Sequence, residues 1–236
     1  MTDLHTHILP GIDDGAQNTD QSVEMLLAQA RQGVETVALT PHFYLREESP
    51  ESFLRRREAA WQALQRKLDT LPEDQRQSIP RMVMGAEVAY GPGMWEWPCL
   101  EQLCYAQTNM LLLELPLMPW GEETFRQLYN FMSRTGITPV IAHAERYLQI
   151  QKRGQMLQLL EMQLPMQISA GALLRLTGSK RAYYLLEDCN GALISDCHDT
   201  GSRAPNLEAG LRWIRKKKGA AVADMFAERT DTLIDL

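Results

Sequence analysis

Short apolar or β-branched runs alternate with longer amphipathic ones along most of this chain. Thr2–His5, Val34–Thr40, Arg81–Glu87, Met110–Leu115, Ile137–His143, Pro165–Ser169 and Ala192–Asp196 read as strands. Thr19 or Asp20 can cap a helix that runs to Arg31 and stops at Gly33, and Ser49-Pro50-Glu51 opens another that runs to about Asp69. The spacing predicts further helices over about 96–106, 121–135, 147–163, 178–188 and 205–218. Strands that alternate with helices argue for parallel βαβ units. About seven such strands in a chain of 236 residues favour an α/β barrel over an open sheet, with residues 1–236 as one domain.

Composition narrows the class without changing that picture. Hydrophobic residues at 44% and charged residues at 23% are ordinary globular values, which exclude a disordered, fibrous or coiled-coil chain. A formal net charge of −6 argues against nucleic-acid binding through a basic face. The longest apolar stretch, around Met110–Leu115, is strand-sized, so no direct membrane insertion is expected. Met-Thr-Asp-Leu-His at the start has neither the basic nor the apolar region of a signal peptide. The four cysteines form no CxxC pair and suggest no disulfide framework; a cytoplasmic location is the expectation.

The chemistry lies in where five histidines fall. His5 and His7 end the first strand, His42 follows the second, His143 closes Pro-Val-Ile-Ala, and His198 stands two residues past Asp196. Glu87 and Glu114 occupy the same kind of place on their own strands, and Asp13 and Asp14 follow the first. In a parallel barrel the C-terminal strand ends form one rim, where active sites of such barrels are built. A lone histidine at a strand end is commonly a surface residue, and an HxH arises by chance. A carboxylate inside Leu-Leu-Leu-Glu-Leu-Pro is harder to explain without a partner, because a buried unpaired charge is costly. So many imidazoles and carboxylates on one rim point to a cluster of two or three divalent ions, with Mn, Fe, Zn and Co all compatible. Such a cluster activates water and clamps phosphoryl oxygens. Arg146, three residues after His143, and Arg203, five after His198, would overhang the same rim, and guanidinium forks match phosphate oxygens in pairs. Phosphomonoester hydrolysis is the reaction these groups suit.

Read in order, Asp-Leu-His-Thr-His-Ile-Leu-Pro-Gly-Ile-Asp-Asp-Gly-Ala, Leu-Thr-Pro-His, Gly-Ala-Glu-Val, Leu-Glu-Leu-Pro, Ile-Ala-His-Ala-Glu-Arg-Tyr and Ser-Asp-Cys-His resemble the PHP superfamily. More narrowly they resemble the bacterial manganese-dependent protein-tyrosine phosphatases of capsule and exopolysaccharide loci, the CpsB/CapC family. The resemblance runs from Met1 to about Leu211 and implies a distorted (β/α)7 TIM-like barrel, the PHP fold, with three ions, most naturally Mn. It assigns His5, His7, Glu87 and Asp196 to one ion and Glu87, Glu114 and His143 to a second. A third takes Asp14, His42 and His198, with Asp13 the alternative to its neighbour Asp14. Arg146 and Arg203 fall where that family binds phosphate. The implied substrate is the phosphotyrosine tail of a bacterial tyrosine kinase that controls polysaccharide export. Ala144 departs from the family's usual Pro, which loosens the backbone before Arg146 but removes no ligand.

Three other readings compete. A small-molecule phosphomonoesterase of the same superfamily, of the histidinol-phosphate phosphatase kind, would use the same groups. A non-catalytic metal-binding regulator would need lost ligands or arginines, and none is lost. Cys197-His-Asp-Thr-Gly-Ser-Arg203 has the C-x5-R spacing of cysteine-dependent phosphatases, but strand alternation should turn Cys197 away from a site that Asp196 and His198 face. Arg55-Arg56-Arg57 and the basic stretch from Arg212 to Lys218 read as solvated faces, although either could steer an acidic phosphopeptide. Phe43, Tyr44, Trp95, Trp97 and Trp120 could pack on the scaffold or stack on a phenol ring.

Overall fold

A computed structural model describes residues 1–189 and 191–233, and it has an α/β architecture built from parallel strands. The strands are β1 (Thr2–Thr6), β2 (Thr36–Leu39), β3 (His42–Phe43), β4 (Arg81–Met84), β5 (Glu87–Ala89), β6 (Met110–Glu114), β7 (Thr138–Ile141), β8 (Gln167–Ser169) and β9 (Ala192–Ile194). They form sheets in the orders β1-β2-β4, β3-β5-β6-β7 and β8-β9, and every pairing is parallel. Isolated parallel bridges, Ile141 to Met166 and Thr6 to Cys197, link β7 towards β8 and β1 towards β9.

The expected strand over 34–40 is shortened to β2, with β3 a separate strand beyond it, and the one expected over 81–87 is broken into β4 and β5. Thr40-Pro41 separates β2 from β3, and Gly85-Ala86 separates β4 from β5. Proline has no N–H for the ladder, and a Cβ on Gly85 would sit 3.2 Å from Thr40 and Tyr105 side-chain atoms. The chain bends there and re-pairs, bringing His42 opposite Glu87 in the β3–β5 register.

Helices cover the sheets. The first, α1 (Thr19–Arg31), is capped by Asn18 rather than Thr19 or Asp20, because the Asn18 carboxamide oxygen accepts from the Gln21 N–H at 3.0 Å. The expected cap holds for α2 (Pro50–Leu68), where the Ser49 hydroxyl accepts from Ser52 N–H and Pro50 opens the helix. Then come α3 (Glu73–Ser78), α4 (Glu122–Thr135), α5 (Arg153–Glu161), α6 (Ala170–Leu173), α7 (Ser179–Asp188), α8 (Leu207–Lys218) and α9 (Ala220–Leu233). No helix forms over 96–106: Pro98 and the left-handed Cys99 leave only 3-10 turns at Met94–Glu96 and Leu100–Gln102. The helix expected over 147–163 is likewise split into a 3-10 segment (Ala144–Gln149) and α5. At the break, the Gln151 side chain accepts from Trp120 N–H and donates to the Met118 carbonyl. Beyond the last expected helix, Gly219 turns the chain so that α9 packs on α8, β9 and β1.

The main core lies between sheets and helices, with Phe53, Phe131, Leu26 and Phe226 fully buried. A smaller cluster joins Leu4 of β1, Ala38 of β2, Leu112 of β6, Val140 of β7 and Ile194 of β9 around Tyr105. Strands far apart in sequence thus share one interior, and their C-terminal ends share one side. No described helix is long and apolar enough to cross a membrane.

Candidate metal centre

Four of the five histidines gather around one carboxylate, Glu87, and the fifth, His198, packs on His7. Glu87 is almost fully buried at the start of β5. Its Oε2 lies 3.1 Å from His5 Nε2, 3.3 Å from His7 Nε2 and 3.0 Å from His42 Nδ1. Its Oε1 lies 2.8 Å from His143 Nε2, which is also 3.4 Å from Glu114 Oε1 at the end of β6. His198 stacks on His7 with ring centroids 3.7 Å apart, and its Nε2 lies 3.3 Å from Asp14 Oδ1. Asp196 Oδ1 lies 3.6 Å from the Nε2 atoms of both His5 and His7. Every imidazole and carboxylate singled out from the sequence is therefore in one contiguous cluster.

Local backbone aims these groups. His143 (φ 30°) and Asp196 (φ 54°) both adopt left-handed conformations that ordinary residues avoid, at a cost on the order of 1–3 kcal/mol each. Each stands just past a strand end, where the turn sends the side chain inward. The Asp196 N–H is held by the His5 carbonyl at 3.1 Å. After β1 the chain doubles back: Ala16 N–H donates to the His7 carbonyl, and a Cβ on Gly15 would lie 2.1 Å from that oxygen. Only glycine permits this approach, which brings Asp13 and Asp14 over His7.

The adjacent aspartates are not equivalent. Asp13 Oδ2 accepts from His7 Nδ1–H at 2.8 Å and from His42 N–H at 3.0 Å, while its Oδ1 accepts from Gly15 N–H. Asp13 is consumed in holding the histidines. Asp14 faces His42, His198 and Arg203 instead.

Donor chemistry tests whether cations fit. With Nδ1–H given to Asp13, neutral His7 turns a lone pair on Nε2 towards His5 Nε2 at 3.2 Å and Glu87 Oε2 at 3.3 Å. Lone pairs at such distances repel unless positive charge lies between them. His42 Nδ1 and His198 Nε2 lie 3.0 Å from Glu87 and 3.3 Å from Asp14 without a well-aligned hydrogen bond to either, and His143 Nδ1 is buried with no hydrogen-bond partner. Among the described residues, three groups of ligand atoms lie mutually within 4.8 Å: His7, Asp14, His42 and His198; His5, His7 and Glu87; and His42, Glu87 and Glu114. The residues fit divalent cations.

In the protein alone, protons supply the positive charge that cations would otherwise bring. Burial disfavours charge on His7, yet Asp13 and Glu87 outweigh it and lift its pKa to about 10. Burial and the His7 charge hold His198 down at about 4. Burial, then repulsion from Glu87, raises Glu114, whereas the surrounding imidazoles overcome burial and hold Glu87 well below the usual carboxylate range. A cavity with this many carboxylates calls for cations.

Both arginines reach the cluster. Arg146 pairs with Asp196 and approaches Glu114 at 4.0 Å, and Arg203 lies 3.1 Å from Asp14 and 3.5 Å from Asp196. Both remain partly exposed at its mouth. An open pocket of about 610 Å³ lies on the Asp14 and His42 side of the cluster, lined by Asp13, Asp14, His42, Tyr44 and Arg56 among others. Of the five aromatic residues singled out, Tyr44 lines this pocket, stacked on His42 with centroids 5.4 Å apart. Phe43 and Trp120 are buried, and Trp95 and Trp97 pack against the core.

Cys197 points away, as alternation required. It is fully buried in the main core, 3.5 Å from the Gln29 amide, and burial pushes its thiol far up, the opposite of a nucleophile's environment. The Arg55–Arg57 run is not simply a solvated face. Arg56 donates to the Ile12 carbonyl, and Arg57 donates to the carbonyls of Gly85 and Gln102, with burial lowering its pKa to about 10. Sequence reasoning passed over Gln167, a buried amide 2.9 Å from His5 Nδ1, because glutamine in a strand carries no ligand signal.

The family described as capsular polysaccharide synthesis, CpsB/CapC, matches residues 1–235. The tyrosine-protein phosphatase YwqE of Bacillus subtilis (strain 168) is 31% identical over 245 residues, covering 99% of this chain and 91% of YwqE. The tyrosine-protein phosphatase CpsB of Streptococcus pneumoniae is 29% identical, covering 99% of this chain and 98% of CpsB. A crystal structure from work on these two proteins, described there as metal-dependent tyrosine phosphatases, superposes with a TM-score of 0.82 at 25% identity, covering all of this chain and 94% of that one. With a match along nearly its whole length, this chain belongs to the CpsB/CapC family.

Proposed function

We propose that the protein is a metal-dependent protein-tyrosine phosphatase. One observation carries this reading: imidazoles and carboxylates from widely separated strand ends converge on Glu87, with Arg146 and Arg203 at the mouth of the same cluster. The metal roles follow the family resemblance, with His5, His7, Glu87 and Asp196 for one ion and Glu87, Glu114 and His143 for a second. Asp14, His42 and His198 take a third, and the occupation of Asp13 by His7 favours Asp14. Two to three ions, most naturally Mn, suit this mix of nitrogen and oxygen donors. When bound, they would supply Lewis acidity to water and to the phosphoryl oxygens.

The chain's own residues do the rest. Arg146 and Arg203 bind the non-bridging phosphate oxygens as charge grows on them, and the carboxylates they contact in the free protein hold them at the mouth. Tyr44 offers a ring face beside His42 for the substrate's phenol. A tyrosine phenol, with a pKa near 10, leaves far more readily as an anion than an aliphatic alcohol, so no dedicated proton donor is required.

The scaffold reading is a distorted (β/α)7 barrel in a single domain over residues 1–236, of which Asn190 and residues 234–236 lie outside those described. Its support is the pair of bridges between the sheets and the interior cluster shared by five strands. The tail of a bacterial tyrosine kinase in a capsule or exopolysaccharide pathway is the proposed substrate, and the cytoplasm the proposed location, on the strength of the family match.

The test is hydrolysis of a phosphotyrosine peptide by purified protein after chelation and again after Mn is restored, with a phosphoserine peptide and histidinol phosphate alongside. Loss on chelation, recovery with Mn and selectivity for phosphotyrosine are expected. Preference for histidinol phosphate would move the reading to a small-molecule phosphatase, and indifference to chelation would remove the metal mechanism.

A further inference from the structure

The two imidazoles of the His5-Thr6-His7 motif stand on different supports. His7 gives Nδ1–H to a carboxylate, Asp13. His5 has a neutral amide, Gln167 Oε1, 2.9 Å from its Nδ1, inside a fully buried network. The Leu4 carbonyl can only accept, so the Tyr105 hydroxyl, 2.9 Å from it, donates to it. Gln167 Nε2 lies 3.3 Å from the same carbonyl and 2.9 Å from the Tyr105 oxygen and donates to both. That fixes the amide: its oxygen faces His5, whose Nδ1 must therefore carry the hydrogen. The Nε2 lone pair is then left facing Glu87 and His7.

We propose that Gln167, locked by Tyr105 and the Leu4 carbonyl, is a positioning residue that sets the tautomer and ring orientation of His5 for metal binding. The proposal rests on His5 being a metal ligand. Such outer partners orient ligating histidines and govern metal affinity. An amide does this without adding charge to a cavity that already holds Glu87, Glu114, Asp13, Asp14 and Asp196. The strand supplies rigidity: Gln167 pairs with Ala192 in the β8–β9 ladder, and Tyr105 is held in the interior cluster.

The experiment is Mn titration of the metal-stripped full chain against a chromophoric chelator, with thermal unfolding of each metal-free variant alongside. Gln167→Met keeps the length and apolar stem while removing the amide, and should weaken one Mn equivalent by roughly 10–100-fold. Gln167→Glu again offers an acceptor to Nδ1–H but loses the donor to the Leu4 carbonyl, and should recover part of that loss. Tyr105→Phe, which releases one of the two groups fixing the amide, should give a smaller loss in the same equivalent. His5→Ala reports on the underlying reading. If His5→Ala weakens binding while Gln167→Met and Tyr105→Phe titrate like the wild type, the lock is overturned and the ligand stands. Equal losses in Gln167→Met and Gln167→Glu, tracking lowered unfolding temperatures, would reduce Gln167 to packing. Failure of the wild type to take up Mn, or an unaltered His5→Ala, would overturn both.

Discussion

Neighbouring residues with similar chemistry have been given opposite tasks by their surroundings. Asp196 and His198 face the cluster, while Cys197 between them is sealed in the core, protonated and without access to a phosphate. Cys197→Ser should therefore keep most of the phosphotyrosine activity, and thiol alkylation of the folded protein at neutral pH should not reduce it; His143→Ala should lose nearly all activity. Steady-state rates on one phosphopeptide decide the matter, and the reverse pattern would reject the metal mechanism. Arginine forks fit phosphate in a way an ammonium does not, so Arg146→Lys and Arg203→Lys should each lower kcat/KM by roughly 10²-fold. Mn uptake by those two variants should stay near wild type, which a chelator titration would read.

At the scale of elements, two glycines separate function from stability. Gly15 lets the loop after β1 press against the His7 backbone, with no room for a Cβ. Gly15→Ala should move Asp13 and Asp14 off the histidines and reduce both Mn affinity and activity, measured together on one preparation. Gly210 in α8 is equally tight, since its Cβ would lie 2.7 Å from that of Ala170, but it touches none of the site residues. Gly210→Ala should overpack the α6–α8 contact and cost about 1–3 kcal/mol by chemical denaturation, while kcat/KM of the folded protein is retained. Strands were the legible elements because parallel strands buried on both faces read as continuous apolar runs such as Leu111-Leu112-Leu113. The segments over 96–106 and 147–163 misled for one reason. Their apolar spacing suits a helix, but Pro98 and the bonds of Gln151 to the 118–120 loop act outside that spacing.

For the molecule as a whole, the centre is a liability without cations. Glu87 and Asp196 are buried, Glu114 is mostly so, and burial followed by repulsion from Glu87 already raises Glu114. Metal that binds only the folded chain adds about 4 kcal/mol when its free concentration is a thousandfold above Kd. At this chain length, chelation should lower Tm by on the order of 10 °C. Differential scanning calorimetry with and without Mn checks this; an unchanged Tm would show that the cluster takes up no metal.

Sequence alone determined the chemistry and most of the scaffold. Ligand-type residues at strand ends announce a metal centre because few other arrangements tolerate so many imidazoles and carboxylates together. The alternation of strands and helices announces a parallel α/β fold because each period records which face is buried. The tertiary structure alone decided the assignments between near-identical candidates. Asp13 went to His7 and Asp14 to the open side because the Gly15 turn presents them differently. Gln167 came under His5 from 162 positions away, and Arg57 turned to the carbonyls of Gly85 and Gln102. Those choices depend on directions and distances between distant segments, which residue type and local spacing do not encode.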